Sequence, residues 1–156
     1  MASKTGLHSK AYLNSANYGT PTWGVVNLIG DFSVAAAWDW ATAPTRETPV
    51  VRGARTMLPL SVTGKMRVSD LDANYQTFDN SFHNSASILD MLILNGDMNT
   101  NGVTGFRAEF ELVKWSEDQA LGNILMKELE LRPSATANNP KRAVVSGGSP
   151  VFTDIT

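Results

Sequence analysis

Cysteine is absent from the 156 residues. That excludes a disulfide scaffold, a Cys-ligated zinc or iron–sulfur site, and any thiol nucleophile. Histidine is nearly absent as well, with only His8 and His83 available to act as a base. No G-x-S-x-G elbow, Gly-rich phosphate loop or H-E-x-x-H occurs, so no catalytic residue is assigned and an enzyme is not expected. Long apolar runs are missing too. VVNLI and MLIL are far too short to cross a bilayer, so no membrane part is expected. The opening MASKTGLHSKAYLNSANYGT holds no apolar leader segment, and no N-x-S/T sequon is present. A soluble chain, made and folded in a cytoplasm, is the expectation. A chain of this length fits one domain and buries ~68–70% of its unfolded surface, enough for a core without disulfides or metal.

The formal net charge of −2 conceals a strong asymmetry. Residues 44–67 carry Arg46, Arg52, Arg55, Lys65 and Arg67 against Glu47 alone. Residues 68–131 carry eleven acids against Arg107, Lys114 and Lys127. A basic segment followed by an acidic one makes either two solvated faces or complementary ends able to stack head to tail. No helix carries a basic stripe, so groove readout of DNA is not expected.

Alternation dominates the rest. In 57–68, Leu58, Leu60, Val62, Met66 and Val68 fall on one face, with Ser61, Thr63, Lys65 and Arg67 opposite. That period of two predicts a long strand with one covered face, begun or edged near Pro59. In 104–115, Phe106, Ala108, Phe110 and Leu112 point inward and Arg107, Glu109 and Glu111 outward. Residues 24–38 predict one strand or a bent pair broken near Gly30–Asp31. Residues 86–94 and 123–132 predict further strands, though a helix is also compatible with the Leu and Met content of 86–94.

One segment departs from this. Leu71, Tyr75, Phe78 and Phe82 share a helical face, which predicts a helix over about 72–84 capped by Asp70 or Asp72 and laid across the sheet. Three stretches read as irregular: 14–23, 39–56 and 133–156. The second combines Pro44, Pro49 and Gly53 with Trp40, Arg46, Arg52 and Arg55, a composition suited to an inter-subunit contact. The third is Gly/Ser/Pro-rich and reads as a flexible arm over 134–156, following a domain that ends at 133.

Asp97-Met98-Asn99-Thr100-Asn101-Gly102 matches the first half of a calcium loop. Position twelve, where a bidentate Glu belongs, is Ala108, and the flanks read as strands. An Asn/Gly-rich hairpin loop is therefore expected, and no metal or other cofactor is assigned.

The ordered elements carry a resemblance. The opening AYLN…YGTPTWGVVNLIGD and the closing pair FELVKWSEDQALGNILMKELELRPS resemble those of the major tail tube proteins of long-tailed bacteriophages and related prophage elements, over roughly residues 8–133. The resemblance implies a mainly β fold, a β-sandwich or half-barrel with one α-helix packed on its side. It also implies a structural virion protein forming hexameric rings with a shared inner β-barrel, stacked into a hollow tube that conducts DNA from capsid to host. The implied partners are further copies of the chain, tape measure, terminator and distal tail proteins, and DNA in passage. The implied place is the virion tail, assembled in the host bacterial cytoplasm. If one strand face lines the lumen, the candidates are the polar faces bearing Ser61, Thr63, Lys65 and Arg67 and bearing Arg107, Glu109 and Glu111. Lys65 or Arg67 is then expected to be offset by Glu109, Glu111 or an equivalent acid across strands, within or between subunits. Two other readings stand beside this one: a related ring component (tail terminator, distal tail or baseplate hub), and a carbohydrate-binding β-sandwich using the tryptophans.

Overall fold

The computed structural model describes residues 9–36, 40–43, 52–55, 60–84, 87–118, 122 and 124–155. Eleven strands and one helix follow in order. They are β1 (Lys10–Asn14), β2 (Trp23–Val25), β3 (Ile29–Ala36), β4 (Trp40–Ala43), β5 (Arg52–Arg55), β6 (Leu60–Arg67), α1 (Ala73–His83), β7 (Leu89–Leu94), β8 (Thr104–Asp118), β9 (Met126–Pro133), β10 (Lys141–Ser146) and β11 (Ser149–Asp154). The fold is mainly β, as expected: a curled half-barrel sheet with a single helix among the described residues.

The curl follows from connectivity. The main sheet runs β2-β1-β7-β8-β9-β6-β3, with every pairing antiparallel. Laid flat, its two edge strands would stand roughly 28 Å apart at the usual strand spacing. Yet β2 and β3 are joined through residues 26–28 alone, which reach about 10–14 Å even when extended. The sheet must therefore roll until its edges nearly meet. The link itself bonds to both sides: Val26 N donates to Ala11 O at 2.9 Å, and Arg67 N donates to Leu28 O at 2.9 Å. The chain break thus falls at 26–28 and not at Gly30–Asp31. Those two residues instead mark an irregularity, a register shift between Ile29 and Phe32 where β3 meets β6.

The concave face is the main core. Leu60, Val62 and Met66 of β6, Ala108, Phe110 and Leu112 of β8, and Leu129 and Leu131 of β9 are all buried there. The faces assigned from alternation hold for these residues. Helix α1 lies over this core through Tyr75 and Phe78, whose rings sit 5.6 and 6.3 Å from that of Trp115. Asp72 caps the helix, its side chain accepting from Tyr75 N at 2.9 Å. The apolar stripe is shorter than predicted. Phe82 is exposed, and Leu71, 96% exposed, precedes the helix start and points into solvent.

Two stretches read as irregular contain strands. Within 39–56, β4 and β5 pair as a separate two-stranded sheet. Within 133–156, β10 and β11 form a hairpin, so residues 141–154 are not an unstructured arm. Beyond Ser134, whose N donates to Glu109 O, the chain loops out at 135–140. It then rejoins β8 as β10, with Lys141 opposite Arg107 and Val144 opposite Thr104. The connection at 147–148 is a Gly-Gly pair with both φ values positive, at 62° and 78°, a left-handed turn that only glycine adopts freely.

The hairpin closes a second, smaller core on the opposite face of the sheet, where Ala143 and Val145 bury Tyr12, Leu92, Leu94 and Val103. Gly105 sits at its tightest point: a Cβ there would lie 1.8 Å from Ile93 O.

Candidate functional site

Period two makes the face opposite the main core a continuous charged wall across β6, β9 and β8. Residues directly opposite in an antiparallel pair share a face. Lys65 opposes Glu128, Thr63 opposes Glu130, and Glu130 opposes Lys114, while Arg132 opposes Glu111. Arg67 and Glu109 extend the same face. Of the lumen candidates, Lys65, Arg67, Glu109 and Glu111 therefore do lie on one side of the sheet, as four of a balanced set of four bases and four acids.

Of the acids expected to offset Lys65 or Arg67, an equivalent acid on the neighbouring strand stands across from Lys65 in place of Glu109 and Glu111. Strand β9 separates Lys65 and Arg67 from Glu109 and Glu111. The acid across from Lys65 is Glu128, and Lys114 Nζ holds Glu128 at 2.9 Å. The Lys114 hydrogen bond, then its charge, and more weakly Lys65, keep the Glu128 carboxyl below its ordinary range; the reciprocal bond raises the Lys114 ammonium. Arg132 pairs with Glu130 at 2.8 Å. Glu111 accepts from Ser134 Oγ at 2.7 Å, and Glu109 accepts from Thr136 Oγ1 and from Asn138 Nδ2 at 3.2 Å. Sequence reading missed this role of the 134–138 loop, which holds both glutamates in place. Between Leu112 and Lys114 the register slips by one residue, leaving Val113 half-exposed amid the charges.

Arg107 is a correction. Alternation put it outward with Glu109 and Glu111, but it is 4% exposed, because the C-terminal hairpin folds over its end of the sheet. Its Nε and Nη2 donate to Asp90 at 3.1 and 2.7 Å, and Nη2 also donates to Tyr18 O at 2.7 Å. The guanidinium lies 3.8 Å over the Tyr18 ring, with Phe152 and Trp23 at 4.9 and 5.1 Å. Asn14 Nδ2 supplies Asp90 with a further bond at 2.8 Å. One buried ion pair thus ties the 14–23 loop and β11 to the sheet. A signal for the hairpin was present: Gly147-Gly148 between Ala143-Val144-Val145 and Val151-Phe152 is a two-residue turn between apolar runs.

The calcium-like segment is the β7–β8 turn. Asp97 accepts from Asn99 N at 2.9 Å and from Lys10 Nζ at 2.6 Å, so its carboxylate serves the loop and β1. Among the described residues no cluster of three or more metal-ligating side chains occurs, and no helix is long and apolar enough to cross a membrane. Of the inter-subunit candidates, Trp40 is opposite Arg55, and Arg52 opposite Ala43, in β4–β5. Their side chains, and Arg46 entirely, lie outside the described residues.

No protein-family model and no curated protein matches the chain. Solved structures do. A subunit from the tail of an empty gene transfer agent particle, refined with C6 symmetry, superposes with a TM-score of 0.65 at 12% identity, over 97% of this chain and 100% of that one. A subunit of the SPP1 tail tube gives 0.65 at 9% identity, over 82% and 74%. One from the 6-fold symmetrised baseplate of the anti-feeding prophage gives 0.58 at 16%, over 93% and 99%. The likeness is one of fold. The curled sheet, helix and C-terminal hairpin of this chain form the fold of subunits that build tails and baseplates.

Proposed function

We propose that the chain is a non-enzymatic structural subunit of a phage-type tail, and that it polymerises as stacked hexameric rings into a hollow tube conducting DNA from capsid to host. The observation that carries this reading is the end-to-end match, over 97% of the chain, to a tail subunit of C6 symmetry. The curled sheet fits the role physically. Its edge strands β2, β3 and β11 can be satisfied by pairing between copies. A contact that does not close on itself makes a filament.

In this proposal Trp40, Arg46, Arg52 and Arg55 contact a neighbouring copy, and the wall bearing Lys65, Arg67, Glu109 and Glu111 lines the lumen. Unpaired cations in a conduit would hold phosphates by releasing counterions. The wall balances four bases with four acids, Glu128 engaged by Lys114 and Glu130 by Arg132, and this balance offsets the pull of Lys65 and Arg67 on phosphates so that DNA slides. Tape measure, terminator and distal tail proteins are the proposed partners, and the virion tail, assembled in the bacterial cytoplasm, the proposed place. The baseplate match favours a second reading, a ring component that does not elongate.

Electron microscopy of the purified chain separates the two readings. Tubes of uniform diameter are expected, and poor tubes when Arg46 and Arg52 are changed to Glu. Rings that never stack would establish the baseplate-type reading. A strictly monomeric chain at high concentration across several salt conditions would overturn both.

A further inference from the structure

The two ends of β8 carry unlike surfaces. At its C-terminal end, where β9 begins and α1 is entered, three aliphatic side chains stand in solvent: Leu71, Ile124 (66% exposed) and Leu125. They belong to one corner, since Val68 N donates to Leu125 O at 3.0 Å and Leu71 follows Val68 by one short turn, closed by Asp72 N on Ser69 O. Isolated exposed aliphatics need no explanation, but three at one corner form an apolar knob. Asp70 stands exposed beside it.

At the N-terminal end of β8 lies the opposite shape. A cleft of about 360 Å³ opens where the curled sheet fails to close, walled by Phe32 and Val34 of β3 and by Ile93 and Phe106 of β7 and β8. Its lining is mainly apolar, and exposed Arg142 stands on its rim. Among the described residues neither Asp70 nor Arg142 takes part in an ion pair.

We infer that the occupant of this cleft is a second copy of the chain, whose Leu71–Ile124 knob enters it with Asp70 meeting Arg142. Knob and cleft are different surfaces at opposite ends of one fifteen-residue strand. Such a contact is heterologous: each copy keeps one unused knob and one unused cleft, and growth proceeds along β8. The charges agree in sign with the apolar match, acid on the knob and base on the rim, which selects head-to-tail over head-to-head contact. The inference rests on the tube reading and names the surfaces through which successive rings would meet.

The test uses the full chain in three forms. In the first, Leu71 and Ile124 are changed to Glu. Both side chains are exposed, so the fold should survive, and an unchanged thermal unfolding curve checks this. Rings should remain while the critical concentration for tubes, read by light scattering, rises at least about tenfold, since burying even one aliphatic side chain is worth that factor in the association constant. In the second form, Asp70→Arg or Arg142→Glu alone should shorten the tubes. In the third, both changes in one chain should restore their length. Normal tubes from the Leu71/Ile124 variant, or no rescue in the Asp70/Arg142 double variant, would overturn the inference while leaving the tube reading intact. Loss of rings together with tubes would assign the knob to a lateral contact and overturn it equally. A chain that forms no tubes even unmodified would instead sink the tube reading.

Discussion

Arg107→Met is the most informative single change in this protein. The Asp90 carboxylate is almost fully enclosed, its side chain 10% exposed, and it receives two bonds from Arg107 and one from Asn14. Methionine roughly fills the space of the arginine stem but returns neither bond. Asp90 is then left buried with the Asn14 amide as its remaining partner. Removing one member of a buried ion pair costs about 3–5 kcal/mol, because the other charge stays desolvated. The same change frees Tyr18 O and removes a cation from between the Tyr18, Trp23 and Phe152 rings. Against a total stability of about 5–15 kcal/mol this is a large fraction. At roughly 2–4 °C per kcal/mol for a chain of this size, Tm should fall by about 6–20 °C. Thermal and urea unfolding, followed by circular dichroism at concentrations where light scattering reads unassembled subunits, would measure it. The companion variant Arg107→Met with Asp90→Leu removes both charges and should recover most of the loss. A single-variant cost under about 1 kcal/mol, or no recovery in the double variant, would refute the reasoning.

Two further outcomes are expected. Deleting residues 134–156 removes Ala143, Val145 and Phe152 from the smaller core and the loop hydroxyls from Glu109 and Glu111. At about 1.5–3 kcal/mol per large buried aliphatic or aromatic side chain, the truncated chain should lose at least about 3 kcal/mol, and an unchanged urea midpoint would show the hairpin to be dispensable. Asp97 and Glu128 should titrate below ordinary carboxylates in carbon-detected NMR, because Lys10 and Lys114 hydrogen-bond their charged forms. Folded-state values below the unfolded ones mean that this contribution is fully present above the ordinary carboxylate range and is lost as pH falls through the depressed values. Changing Lys10 and Lys114 to Met should return both carboxyls toward their ordinary values, and carboxyls that already titrate normally beside the native lysines would contradict the ion pairs.

The sequence by itself determined the periods. Alternation in 60–67 and 104–112 named the inward residues Leu60, Val62, Met66, Ala108, Phe110 and Leu112, because the side-chain repeat of a strand is a local property of the backbone. The spacing of Tyr75 and Phe78 and the capping Asp72 likewise marked α1 from within its own turn or two. Tertiary structure alone decided what covers each face. Arg107 alternates like an exposed residue, yet it is buried by Tyr18, Trp23 and Phe152, which stand 89, 84 and 45 positions away along the chain. Alternation says that a residue faces away from the main core; it does not say whether another strand will fold over that side. Leu71 errs the other way, completing a helical stripe on paper while the helix begins two residues later. The partners of Glu109 and Glu111 were equally out of reach. Strand order put β9 between them and β6, and a six-residue excursion at 135–140 brought Thr136 and Asn138 to Glu109 just beyond Ser134 on Glu111. Register and strand order arise from pairings across the whole chain, so no local window contains them.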